Sequence, residues 1–279
     1  MKTILDQIDV LNKIVSDMGR MIPRKEDIRE ALPPAIIDQI GEIIRRYAEE
    51  IELLKSVRQA GVTGIFKRRE RAIQAFARAI DEESKEIMVI GSSLKGLFQK
   101  EEYQSIAEKL RFKSDRGLVH VKFLLTHPIV ADFRARQENR GFTEIGHEII
   151  LTLETLKHWN AEYCHVKLYL GTPTCFAIKT TRNMLINPYP YISVSYDSPC
   201  LVLENTPDGG SERPGYFFDE FSSRHFGAWD SELAVRICSV ATVDARIRDY
   251  DKVIATCRSS LKDYATAVEN ILDRGKQIH

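Results

Sequence analysis

The sequence has no apolar run near the roughly 20 residues that a membrane-spanning helix needs, and its opening, Met1-Lys2-Thr3-Ile4-Leu5-Asp6, is interrupted by charge where a signal peptide would carry an apolar stretch. Membrane-spanning and secreted classes are set aside on that ground, and the expected location is cytoplasmic. It has no Cys-x-x-Cys pair. Cys164, Cys175, Cys200, Cys238 and Cys257 are odd in number and scattered, which argues against a disulfide framework or a zinc site and leaves reduced, mostly buried thiols as the expectation. It has no net charge: 40 basic residues balance 40 acidic ones, so no global field draws it to nucleic acid or an anionic membrane. Nucleic acid is disfavoured as a partner without being barred, since binding of that kind would have to be local. What is present is an ordinary folded composition, 43% hydrophobic and 29% charged, over 279 residues.

Apolar residues near the start alternate at spacings of four and three, through Ile4, Ile8, Leu11, Val15, Met18 and Ile22, which is a heptad seam. Pro23 and the Pro33-Pro34 pair interrupt it, and a second seam follows through Ile37, Ile40, Ile44, Tyr47, Ile51 and Leu54. A third runs through Val243, Ile247, Tyr250, Ile254, Cys257, Leu261, Tyr264, Val268 and Ile271. A 3.5-residue seam is narrower than the stripe a helix turns to a globular core, so these helices are expected to pair between subunits, as a homodimer or higher oligomer. The expected division is a helical coiled-coil hairpin over 1–60, an α/β domain over 61–240 and a coiled-coil helix over 241–279.

Between the arms, helix and strand signals alternate. Helices are expected over Glu70–Ser84, Glu101–Phe112, within Val130–Trp159 with breaks near Gly141 and Gly146, and over Tyr216–Trp229. Strands are expected over Glu86–Gly91, His120–Leu125, His165–Leu170, Thr174–Lys179, Met184–Asn187 and Cys200–Leu203, with a surface loop over Asn205–Gly215. That alternation implies an α/β mixed sheet covered by helices on both faces.

Several segments in order, Ala60 to Ile65, Ile87 to Leu94, Phe133 to Glu138, Asn187-Pro188-Tyr189, Asp197-Ser198-Pro199 and Phe217 to Phe221 up to Trp229, resemble a bacterial phospholipase-D-like domain family of unknown function, over about residues 60 to 235. The resemblance implies a phospholipase-D-like fold used as a regulatory or ligand-sensing module, and no cofactor. In the hairpin Phe176 to Tyr189, Lys179 stands where that family's His-x-Lys-x-x-x-x-Asp motif has its Lys. Ala177 and Met184 stand at the His and Asp positions. A methyl and a thioether offer no nucleophile of the imidazole kind, so the resemblance implies a degenerate active site in which Lys179 contacts phosphate oxygens.

From the residues themselves, Gly91-Ser92-Ser93-Leu94-Lys95-Gly96 follows a strand, where an open α/β sheet binds its ligands, and its hydroxyls, backbone amides and Lys95 suit a phosphate or carboxylate. It lacks Walker A spacing, and Ser92 or Ser93 as a plain helix cap is the competing reading. Arg134 and Glu138, at i and i+4, would hold a guanidinium toward an anion, or else make a solvated ion pair. Lys179 and Asn187 complete the candidate ligand set of Ser92, Ser93, Lys95, Arg134, Glu138, Lys179 and Asn187; no metal ligand is expected. Arg224 and His225 on the late helix, and the basic run Lys67-Arg68-Arg69-Glu70-Arg71, read as a polar group near the sheet and a solvated helix start. The expected role is an oligomeric protein that senses a phosphate-bearing small molecule or nucleotide. Two alternatives stay open: an active phosphodiesterase or nuclease using His147, Glu138 and Arg134, and a structural assembly protein.

Overall fold

The computed structural model describes residues 34–190, 198–205, 216–238 and 242–276. The seam from Ile4 to Ile22, Asp197 and nearly all of the expected 205–215 loop lie outside these residues. The chain divides into two compact units, 1–59 and 60–279.

In the first unit, helix α1 spans Pro34–Gln59. Its polar surface is laced by pairs at i+3 and i+4, among them Arg45 with Glu42 and Glu49 and Arg46 with Glu50, each adding a few tenths of a kcal/mol. Seam residues Ile44, Tyr47 and Leu54 are exposed.

The second unit is built on one eight-stranded sheet. In chain order its elements are β1 (Val62–Phe66), α2 (Arg69–Glu82), β2 (Glu86–Gly91), α3 (Lys95–Gln99), α4 (Glu101–Asp115), β3 (His120–Thr126), α5 (Asp132–Gln137), α6 (Glu144–Leu156), β4 (Cys164–Tyr169), β5 (Cys175–Lys179), β6 (Asn183–Pro188), β7 (Cys200–Glu204), α7 (Tyr216–His225), β8 (Ala234–Arg236) and α8 (Val243–Lys276), with 3₁₀ turns at Pro128–Val130 and Phe226–Asp230. The strand order is β1-β7-β6-β5-β2-β3-β4-β8. β2, β3 and β4 are parallel, because helical crossovers join them, and the remaining pairings are antiparallel. The mixed α/β architecture expected from the sequence is the one observed.

Strand alternation sends side chains to two different layers. Val89, Phe123, Val166, Phe176 and Ile178 face the larger core with α2, α4, α6 and α8. Met88, Ile90, Leu124, Cys175, Ala177, Met184 and Ile186 face a smaller one closed by Phe218, Phe226 and Trp229. β2 is apolar and buried from Ile87 to Gly91 because both of its faces are covered.

Two expectations change here. The break in the 130–159 stretch falls between Gln137 and Glu144, while Gly146 lies inside α6. A Cβ at Gly146 would stand 2.9 Å from Leu261 and 3.1 Å from the Pro128 carbonyl, so the glycine serves close helix packing instead of a break. The C-terminal seam, expected as a separate arm, lies in the same unit as the sheet: Tyr250, Ile254, Cys257 and Leu261 are each about 2% exposed or less. Arg246 anchors this helix by donating to the carbonyls of Cys164 at 2.7 Å and Leu156 at 3.0 Å, and to the Tyr250 hydroxyl at 3.1 Å. No helix among the described residues is long and apolar enough to cross a membrane.

Candidate functional site

At the C-terminal end of β2 the chain turns sharply, and the turn is tied on every side. The Ser92 amide donates to the Tyr189 hydroxyl at 2.9 Å, the Thr126 amide donates to the Ser92 carbonyl at 3.1 Å, and Thr152 Oγ1 donates to the Ser93 carbonyl at 2.7 Å. A Cβ on Gly91 would meet the Leu94 side chain at 2.5 Å and the Tyr189 hydroxyl at 3.1 Å, so the glycine lets these two side chains close over the turn. Leu94 adopts φ 55°. The α5–α6 turn carries two more left-handed residues, Asn139 at φ 55° and Thr143 at φ 61°. These three are all the non-glycine residues with positive φ among the described residues, and all lie in the two turns around one cavity.

That cavity, about 50 Å³, is lined by Arg69, Ser92, Ser93, Lys95, Glu138, Arg140, Glu148, Phe176 and Tyr189, with Leu94, Gly96, Leu97 and Ile145. Three cations against two carboxylates leave its wall at a formal +1. Glu148 is the hub: it accepts from Ser93 Oγ at 2.8 Å, from Lys95 Nζ at 3.0 Å and from Arg140. Burial pushes the Glu148 carboxyl up, but the bonds from Arg140, Lys95 and Ser93 outweigh burial and hold it below the usual carboxylate range. Burial likewise opposes the charge on Arg140, and its bonds to Glu148 and Glu144 more than offset that. Arg69, buried, donates through Nε to Asn187 Oδ1 at 2.7 Å and lies 4.4 Å over the Phe176 ring. The Ser92 hydroxyl is buried on the cavity wall and finds no hydrogen-bond partner among the described residues.

Ser92, Ser93, Lys95 and Glu138, four of the expected ligand residues, thus line one cavity. Arg134 stands behind them, 2% exposed, paired with Glu138 at 2.8 Å and stacked 4.3 Å over Tyr189. The alternative of a solvated helix face does not hold for this pair, because α5 is turned inward. Asn187 is fully buried, and its amide donates to the carbonyls of Ser198 and Pro199 at 3.1 Å; it reaches the cavity only through Arg69.

Lys179 does not join them. β5 runs antiparallel to β2, so Lys179 pairs with Met88 near the strand's beginning, while the cavity lies past its end. Alternation also sends Lys179 to the opposite face, where it bonds to Ser222 and lies 5.4 Å from the Phe226 ring. Burial depresses its pKa. Ala177 and Met184 are 1% and 0% exposed in the smaller apolar core. His147 is exposed on α6, its Nδ1 against the Thr143 carbonyl at 2.8 Å, and it is outside the cavity lining, so the set His147, Glu138 and Arg134 is not assembled. His225 stacks on Phe221 at 5.0 Å and Arg224 pairs with Glu220, both away from the cavity. Arg69, Glu148 and Tyr189 went unnoticed as site residues in the sequence. Arg69 was legible only as part of a basic run, and nothing local marks Glu148, one glutamate among several on an amphipathic helix. Among the described residues, no three His, Cys, Asp or Glu side chains gather as a metal site.

No family model matches the sequence, and no curated protein does. Solved structures similar to the chain include TrmBL2, an archaeal chromatin protein, at 13% identity and TM-score 0.36 over 82% of this chain and 70% of that one. The phosphatidylserine synthase of Haemophilus influenzae Rd KW20 matches at 11% and 0.42 over 71% of this chain and 43% of the synthase. NucT from Helicobacter pylori matches at 10% and 0.37 over 62% of this chain and 97% of NucT. At such identities and scores these likenesses assign no substrate or chemistry to the chain.

Proposed function

We propose that this protein is a cytoplasmic, non-catalytic sensor whose phospholipase-D-like unit binds a small phosphate-bearing molecule in the cavity at the end of β2. The observation that carries the reading is convergence: Arg69, Lys95 and Arg140 meet a buried, unpartnered Ser92 hydroxyl between two turns that hold every left-handed non-glycine residue described. Strained backbone persists where the surrounding structure over-determines it, and it concentrates at ligand clamps. A space of about 50 Å³ is well above the roughly 10–15 Å³ that one water needs and suits a small polar group. Lys95, whose side chain is 41% exposed, is free to swing from Glu148 to an entering anion. The nucleotide or metabolite body would lie outside the cavity mouth. Burial of Ala177 and Met184 in apolar surroundings supports binding without phosphoryl transfer.

The same reading takes α1 as the element that joins two copies. With Ile44 and Ile51 at a and Tyr47 and Leu54 at d, Glu50 falls at g and Lys55 at the following e, the pair that meets across a parallel, in-register dimer.

Titration of the purified full chain with inorganic phosphate and a nucleoside monophosphate, at constant ionic strength, tests the cavity. A ligand at 100 times its Kd stabilises by about 2.7 kcal/mol, which for a unit of this size raises Tm by roughly 5–10 °C. Lys95→Met should weaken binding about tenfold. No shift with any phosphate compound, or equal shifts for wild type and Lys95→Met, would reject the assignment. Native mass spectrometry of Ile44→Asp should show a halved assembly with the sheet unit's Tm unchanged.

A further inference from the structure

On the sheet's second face, the stretch beside Trp229 carries charged side chains in place of apolar packing. There β3, β4 and β8 place basic side chains directly opposite one another: Lys122 is paired with His165, and Lys167 with Arg236. Lys167 and Arg236 are like charges in directly opposed positions, which repel and destabilise a sheet, a cost that the fold alone does not explain. Beside them runs a ladder of rings, Tyr163 stacked on His120 at 4.7 Å and His120 on His165 at 5.7 Å, with interplanar angles of 18° and 16°. His120 and Arg236 are exposed. Burial, followed by Arg236, pushes the His165 pKa down to about 4, so its ring stays neutral and accepts from Arg236 at 3.3 Å. Lys122 and Lys167 are propped on the Trp229 ring at 5.5 and 4.8 Å, and Lys167 donates to the Trp229 carbonyl. With Lys179 across Met88, four cations face Glu86, which pairs with Lys122, and Asp219. The patch is therefore +2 on a protein with no net charge.

We infer that this face binds a single-stranded nucleic acid, with phosphates on Lys122, Lys167 and Arg236 and a base packed against the Tyr163-His120-His165 ladder at its exposed ring, His120. Charge alone would suit any polyanion; the ring ladder selects the single strand, because stacking on aromatic rings needs base faces that a duplex keeps covered. The three cations lie on adjacent strands about 4.8 Å apart, so they span about 10 Å, a stretch that one backbone segment can follow. This site is separate from the cavity, which opens past the end of β2.

The test is fluorescence anisotropy of the full chain with a labelled single-stranded 20-mer, a duplex of the same sequence and poly-glutamate as competitor, between 50 and 200 mM salt. Three phosphate contacts predict a log–log salt slope of about −2, falling by about 0.7 for Arg236→Gln. His120→Ala should lower single-strand affinity about tenfold with the salt slope unchanged, and Arg71→Gln, on the exposed side of α2, should change nothing. Lys95→Met should leave oligonucleotide binding intact, and Arg236→Gln should leave phosphate binding intact, so either site can fail alone. No binding at 50 mM salt, equal binding of the duplex, or displacement by poly-glutamate at equal charge overturns the inference; the last outcome would make the occupant an acidic polypeptide.

Discussion

Replacing Glu148 by Gln should destabilise the protein and at the same time tighten its hold on anions. Glu148 is 6% exposed and accepts from Ser93, Lys95 and Arg140. Breaking a fully buried ion pair costs about 3–5 kcal/mol. Here Arg140 keeps Glu144 and Glu138 and Lys95 can reach water, so about half of that, ~2 kcal/mol, is expected. For a unit of this size that is a Tm loss of about 4–8 °C. The same change takes the cavity wall from +1 to +2. A charge about 5 Å from a bound anion interacts by roughly 3 kcal/mol at an effective dielectric constant of 20; the open mouth halves this, leaving about tenfold in affinity. Phosphate should then restore more stability to Glu148→Gln than to wild type. Urea unfolding with and without phosphate, chloride holding the ionic strength constant, reads both effects. The pH dependence follows from the depressed carboxyl: Glu148 contributes stability above its unfolded pKa of about 4.3, and that contribution is lost as pH falls through the lower folded value. The variant's stability should fall less steeply than wild type's below about pH 4.5. Phosphate that binds Glu148→Gln no more tightly than wild type would refute the electrostatic account of the cavity.

Two further outcomes separate the site from its surroundings. Lys179→Met should leave phosphate affinity unchanged within about twofold, because Lys179 lies on the other face; calorimetric titration checks it, and a tenfold loss would return the hairpin to the binding site. Leu261→Ala should cost the sheet unit about 2–5 kcal/mol in urea unfolding, since Leu261 packs against Gly146 in the core; a cost below 1 kcal/mol would mean that α8 is a detachable arm.

Much of the fold was legible along the chain. β2 was read with the bounds it has, because a short apolar run closed by glycine suits a strand covered on both faces, and β3 to β7 were found to within a residue or so by β-branched and aromatic enrichment. The Gly91–Gly96 turn was singled out because the ends of open-sheet strands gather ligands, and the structure brings Ser92, Ser93 and Lys95 to one cavity there. β1 and β8 were missed as strands. β1 contains Gly64, and β8 is three residues long; an edge strand is defined by its neighbour more than by its own pattern.

Local pattern determined which segments are helix or strand and which of their faces are apolar, since periodicity of 3.6 or 2 is a property of consecutive residues. It could not determine what an apolar face meets. The seam of α8 has the spacing of an intersubunit coiled coil, yet Gly146 and Arg246 bring that helix onto its own core, and both act through contacts about 80 or more residues away in the chain. The cavity has the same origin: Arg69, Lys95, Glu148 and Tyr189 are far apart in sequence, and the packing of helices on the ordered sheet makes them neighbours. Lys179 shows the converse, for it shares a strand with the cavity residue Phe176 and is carried to the other face by an odd number of residues and an antiparallel direction.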